Sequence, residues 1–235
     1  MVRLLLSILV LAAMSCGSRP APADTTGPGA AIPADTSNPP PAPAPAPLGE
    51  PRIVAFGDSL TAGLGLPREM AYPAQLQRKL AERGHKIDVV NAGVSGDTSA
   101  DGLRRANWAL EGNVQLLILA LGANDGLRGL PPPQMKENLE GIIHRARQRG
   151  VPVLLAGMEA PPNYGEQYAV AFRQVFRDLA RDNKVTFVPF LLEGVAGVLE
   201  LNQDDGIHPT SDGAARIADL LLPVVEKMIE PTRAK

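Results

Sequence analysis

From residue 51 onward the sequence predicts an α/β chain: a three-layer α/β/α sandwich around a central parallel sheet of about five strands. Three features predict it. Short apolar runs alternate strictly with longer segments of helical spacing, which calls for right-handed crossovers between parallel strands. The apolar runs are nearly unbroken, as strands covered on both faces must be. Small and polar residues gather where each run stops, and sheets of this kind bind ligands beyond the carboxyl ends of their strands.

The elements follow in order. "RIVAFGD" is a short buried strand, "YPAQLQRKLAERG" has helical spacing and stops at Gly84, and "KIDVVNAG" returns to strand. "SADGLRRANWALEG" carries an amphipathic stripe on which Trp108 is expected to pack, and "VQLLILALG" reads as a central strand. "PPQMKENLEGIIHRARQRG" is a helix with proline at its start and Gly150 at its end, followed by the strand "VPVLLAGM". "GEQYAVAFRQVFRDLARDN" is helix and "KVTFVPF" strand. An irregular loop then runs to about Asp205, before a last helix from about Pro209 to Ile229.

The amino-terminal 50 residues are of another kind. Arg3 and the apolar run "LLLSILVLAAM" fit the roughly 7–15 apolar residues of an export signal, short of the roughly 20 that span a membrane. Cys16 is the only cysteine, which excludes an intramolecular disulfide and places the thiol where such a signal is cut. The stretch resembles a bacterial lipoprotein signal, which implies acylation of Cys16; Gly17 after it implies the outer rather than the inner membrane. Residues 17–50 are rich in Pro, Ala, Ser and Thr without apolar periodicity and read as an extended tether. The expected organisation is a signal at 1–15, a lipidated Cys16 and tether over 16–50, and a folded domain over 51–235. The chain would stand as a monomer at the periplasmic face of the envelope, on its lipid anchor. A net charge of -2 with no basic block excludes a nucleic-acid partner.

The strand ends hold the chemistry. They read "GDS" after the first strand, "NAGVSGDTS" after the second and "LGANDG" after the third, with "DDGIHP" before the last helix. A serine is a weak nucleophile until a base takes its proton, so Ser59 needs an imidazole. His208 is the candidate, since His85 and His144 fall at a helix end and on a helix surface. Asp205, three residues before His208, can fix its tautomer and balance its cation. Donors aimed at an oxyanion complete such a site: the Asn124 amide and the N–H groups of Ser59 and Gly96, if their turns converge. Taken singly, Ser59, Asn124 and Asp205 could equally cap helices or brace turns. Asp58, Asp97 and Asp125 are expected to brace turns through backbone hydrogen bonds. No metal and no cofactor is expected.

Taken together, "FGDSLTAG", "NAGVSGDTS", "LGANDG" and "DGIHPT" resemble the four blocks of the SGNH, or GDSL, hydrolases, in order over residues 52 to 230. "GLRG", "PPNYG" and "LEGV" extend the similarity toward the bacterial periplasmic thioesterase, lysophospholipase and arylesterase group. The resemblance implies a flavodoxin-like sheet and an acyl-enzyme mechanism. Ser59 would be nucleophile, Asp205 and His208 acid and base, and Ser59, Gly96 and Asn124 the oxyanion donors. It also implies that the loop 126–133, with Leu127, Arg128, Gly129 and Leu130, walls the acyl chain of a small ester, thioester or lysophospholipid-like substrate. Sugar deacetylation, acyl transfer to an acceptor other than water, and a non-catalytic envelope-binding role stay open. The GxSxG elbow of α/β-hydrolases is absent, because Thr61 stands two residues after Ser59.

Mass spectrometry of the mature chain should find Cys16 as its acylated first residue. An unmodified thiol, or cleavage elsewhere, counts against the anchor.

Overall fold

The computed structural model describes residues 49–230, so the signal, Cys16 and nearly all of the tether lie outside the described residues. Five strands form one sheet: β1 (Arg52–Gly57), β2 (Asp88–Gly93), β3 (Val114–Ala120), β4 (Val153–Ala156) and β5 (Thr186–Val188). All pair in parallel in the order β2-β1-β3-β4-β5. The order reverses after β1, and the crevice of such a sheet opens at that reversal, beyond the carboxyl ends. β1 and β3 lie side by side inside the sheet, which is why Ile53 to Phe56 and Leu116 to Leu119 are wholly buried.

Helices cover both faces, as the unbroken apolar strands require. α2 (Tyr72–Glu82) packs against α7 (Ser211–Ile229), while α5 (Pro132–Gln148) packs against both α3 (Ser99–Ala109) and α6 (Glu166–Asn183). Two short helices complete the set, α1 (Ser59–Ala62) and α4 (Ala123–Leu127). Local chemistry sets the ends. Thr98 and Asp101 form a reciprocal capping box on α3, and Thr210 accepts from the Gly213 N–H to start α7. The last helix therefore begins two residues later than its apolar spacing predicts, because Pro209 bridges antiparallel to Asn202 instead.

Trp108 departs from expectation. It is 61% exposed, because α3 meets the sheet through small residues, Ser99, Gly102, Ala106 and Ala109. A Cβ on Gly102 would stand 2.2 Å from Leu121 Cδ1, so the helix lies too close for a large side chain on that face.

The same closeness recurs at the carboxyl edge, where α1 rests on the ends of β1 and β2. A Cβ on Gly93 would meet the backbone N of Ala62 at 2.2 Å, and one on Gly57 would meet Thr61 Oγ1 at 2.0 Å and the Ala120 carbonyl at 2.6 Å. Glycine is thus what lets the turn carrying Ser59 sit on the sheet. Gly93→Ala should lower the denaturant midpoint by about 1–3 kcal/mol of stability, with an unchanged slope. Wild-type unfolding in that variant would show that the contact relaxes freely.

Candidate active site

The β1–α1 turn presents Ser59. Asp58 is the N-cap: its Oδ1 accepts from the Leu60 N–H at 3.0 Å, while Gly63 ends the helix in the left-handed region at φ 79°. Ser59 is therefore the first helical residue and not a cap. A helix this short leaves its first N–H groups without partners in the helix.

The base arrives on the loop between Asn202 and Pro209. The bridge between those two residues closes the loop, and the Gln203 N–H donates to the His208 carbonyl at 2.7 Å. The Gln203 amide then donates to Leu64 O at 2.8 Å and Pro209 O at 2.9 Å, tying the loop to the chain just past α1. Within the loop, Asp205 Oδ1 accepts from the N–H groups of Ile207 and His208, both at 2.9 Å, and Oδ2 accepts from His208 Nδ1 at 2.6 Å. Those hydrogen bonds, the His208 backbone N–H foremost, pull the Asp205 carboxyl down to about 2, so it is ionised at any working pH. With Nδ1 donating to a carboxylate, Nε2 is the acceptor, and it stands 2.9 Å from Ser59 Oγ across 149 residues of sequence. Serine, histidine and aspartate thus form a continuous relay.

The predicted oxyanion donors lie on the same edge. Among the described residues, the N–H groups of Ser59 and Gly96 have no protein acceptor. Gly96 takes φ +87°, and a Cβ there would have only Arg128 near it at 3.9 Å, so the dihedral and not space calls for glycine. One N–H of the Asn124 amide donates to the Asp97 carbonyl at 3.0 Å, leaving the second free. Asp125 accepts a backbone N–H as expected, but from Ser99 at the start of α3, together with Ser99 Oγ, so it ties two turns to each other; Asn138 supports Ser99 Oγ at 3.0 Å. Asp97 differs from expectation: its carboxylate is bound by the Arg105 guanidinium and not by a backbone N–H.

A cavity of about 350 Å³ adjoins Ser59 and Asn124. Its wall is mostly apolar, with Met158, Pro161, Pro162, Phe190, Leu192 and Ile207. Of the four loop residues expected to wall an acyl chain, only Leu127 borders it. Arg128 donates to Gly96 O at 2.8 Å, Gly129 has the Tyr164 ring where a Cβ would stand, and the Leu130 carbonyl accepts from Tyr168 Oη. Much of the wall comes from the segments following β4 and β5, including Pro161 and Pro162 of "PPNYG" and Leu192 of "LEGV". Among the described residues, no group of three or more His, Cys, Asp or Glu side chains could hold a metal ion.

A serine–histidine–aspartate relay beside an apolar cavity, at the carboxyl edge of a parallel sheet, is the arrangement of a serine hydrolase whose acid and base share one loop. Residues 55–216 match the model of the GDSL-like Lipase/Acylhydrolase family, and the chain belongs to that family. It is 43% identical to the esterase TesA of Pseudomonas aeruginosa over 178 residues, which are 75% of this chain and 89% of that one. It is 37% identical to an arylesterase of Vibrio mimicus over 171 residues, 72% of this chain and 86% of that one. A crystal structure of TesA superposes with a TM-score of 0.73 at 42% identity, covering 76% of this chain and 99% of that one.

Asp58 braces its turn through the Leu60 N–H, as expected, but its burial has a further consequence. It is 1% exposed, and its Oδ2 has no partner among the described residues. Burial pushes its carboxyl from 3.8 up to about 6, against the pull of the Leu60 N–H and of His208. The folded chain keeps this proton up to about pH 6 while the unfolded chain releases it near 3.8, so stability falls as pH rises through that window. Asp58→Asn should match wild type near the bottom of the window and exceed it by on the order of 2–3 kcal/mol above the top. Urea unfolding across pH measures this, and a pH-independent difference would count against it.

Proposed function

We propose that the chain is an exported, lipid-anchored serine esterase that hydrolyses carboxylic ester or thioester bonds through an acyl-enzyme. The observation that carries the reading is the relay from Ser59 Oγ through His208 to Asp205, at 2.9 and 2.6 Å, opening on the apolar cavity. His208 Nε2 takes the hydroxyl proton as Ser59 Oγ bonds to the carbonyl carbon, and the Asp205 carboxylate balances the imidazolium. The carbonyl oxygen, now an anion, lies toward the Ser59 and Gly96 N–H groups and the free N–H of Asn124. As the ester bond breaks, the imidazolium gives its proton to the leaving alcohol or thiol. Water then bonds to the acyl carbon and gives a proton to His208, which passes it to Ser59 Oγ as the acyl–Oγ bond breaks, releasing the acid and restoring the hydroxyl.

The apolar wall favours acyl chains longer than acetate, because burying each CH₂ contributes roughly 0.8 kcal/mol. Lysophospholipid-like and acyl-thioester substrates fit that wall better than an acetylated sugar. The names of relatives agree in kind: an esterase, an arylesterase and a thioesterase/lysophospholipase. Anchoring at Cys16 would hold the domain beside the lipids from which such substrates come.

Ser59→Ala should lose on the order of 10⁴-fold or more in p-nitrophenyl ester hydrolysis while keeping the wild-type unfolding midpoint. Undiminished hydrolysis would sink the mechanism. In a series of acyl chain lengths, wild-type kcat/KM should rise from acetyl toward medium chains; a preference for acetylated sugars would move the assignment to deacetylation.

A further inference from the structure

Arg105, midway along α3, makes four contacts with one guanidinium, none of them to the serine, the histidine or the cavity. Nε binds Asp97 Oδ2 at 2.6 Å, Nη1 donates to the Ala92 carbonyl and Nη2 to the Gly57 carbonyl, both at 2.8 Å. The guanidinium carbon, Cζ, lies over the Phe56 ring, 4.0 Å from its centre. The pair is mostly buried, at 19% and 13% side-chain exposure, so water competes little for it.

The acceptors identify what these contacts hold. Gly57 O is the last strand carbonyl before Asp58 and Ser59, and it also accepts the Val94 N–H at 3.0 Å. Ala92 O is at the end of β2, where the loop carrying Gly96 departs. Asp97 follows Gly96 directly, and its own carbonyl receives the Asn124 amide at 3.0 Å. The three candidate oxyanion donors, from three separate turns, therefore all lead back to the guanidinium: Ser59 through Gly57, Gly96 through Asp97 and Ala92, Asn124 through the Asp97 carbonyl. We propose that Arg105, through its pair with Asp97, is the positioning residue that sets the relative geometry of the oxyanion donors. A lysine could pair with Asp97, but a single ammonium lacks the planar fork that reaches the carboxylate and two strand-end carbonyls at once.

The inference rests on the serine-esterase reading and deepens it. A group that only aligns donors for a charge formed in the transition state should change kcat and leave ground-state binding nearly intact. Arg105→Ala should lower kcat for a p-nitrophenyl ester about 10²–10³-fold, the effect of losing an oxyanion donor, with KM changed far less. Affinity for an alkyl trifluoromethyl ketone, whose adduct with Ser59 places an oxyanion in the same site, should fall in parallel with kcat. Arg105→Lys should show a smaller loss of the same kind, and it decides the matter if the alanine variant fails to fold. Added guanidinium ion should restore part of the alanine variant's kcat. Circular dichroism gives the folded fraction to which each rate is referred.

A folded variant with wild-type kcat and ketone affinity, or one whose losses lie wholly in KM, overturns the role of Arg105. Absence of ester turnover and of ketone binding in the wild-type chain would instead overturn the serine-esterase reading, so the two failures are distinguishable.

Discussion

Everything at the carboxyl edge depends on how closely α1 sits on the ends of β1 and β2. At Gly93 the backbone of α1, and at Gly57 the Thr61 side chain, come within distances that a single Cβ would violate. That approach fixes the height of Ser59 above the sheet. The Asn91 amide, donating to Thr61 O at 2.8 Å, and the buried Thr61–Tyr72 hydroxyl contact at 3.1 Å hold α1 from either side. The loop bearing the base adds its own tie through Gln203. The nucleophile is thus seated on close backbone packing against the sheet, whereas the acid and base stand on a loop.

Electrostatics follows the same division. Asp205 sits among donors and stays ionised, while Asp58, sequence neighbour of the nucleophile, is buried with one oxygen unpaired and holds its proton well above the ordinary carboxylate range. Two aspartates near one histidine thus take opposite characters because hydrogen bonds dominate at Asp205 while desolvation outweighs the Leu60 hydrogen bond at Asp58. Only the first offers His208 a fixed negative charge through direct contact.

The strands and long helices were legible in the sequence because apolar period and end chemistry agree with each other at nearly every element. The relay was legible because Asp205 and His208 share one short loop and Ser59 ends a strand. The family blocks joined them across 149 residues. What stayed hidden has physical reasons. Arg105 is one of two adjacent arginines in a helix, and its acceptors Ala92 and Gly57 are backbone carbonyls 13 and 48 residues away, which carry no side-chain signature. Part of the cavity wall lies in quoted blocks, Pro161 and Pro162 in "PPNYG", Leu192 in "LEGV" and Ile207 in "DDGIHP", yet apolar residues after β4 and β5 carry no chemical signature of a wall, and of the four residues named in the loop 126–133 only Leu127 reaches the cavity. Trp108 lies off the buried stripe of α3, which runs through Ser99, Gly102, Ala106 and Ala109 at three- and four-residue steps, so it faces solvent.

The self-contained hydrogen bonding of the Asn202–Pro209 loop has a structural consequence. Asp205 grips His208 through its ring nitrogen and its backbone, so the two travel as one body, whereas the Gln203 side chain is the loop's visible tie to the chain just past α1. A displacement of the loop as a unit would alter the serine–histidine contact and leave the histidine–aspartate contact as it was. The loop thus presents the imidazole and its carboxylate as one preassembled unit, and only the docking of that unit against Ser59 completes the relay.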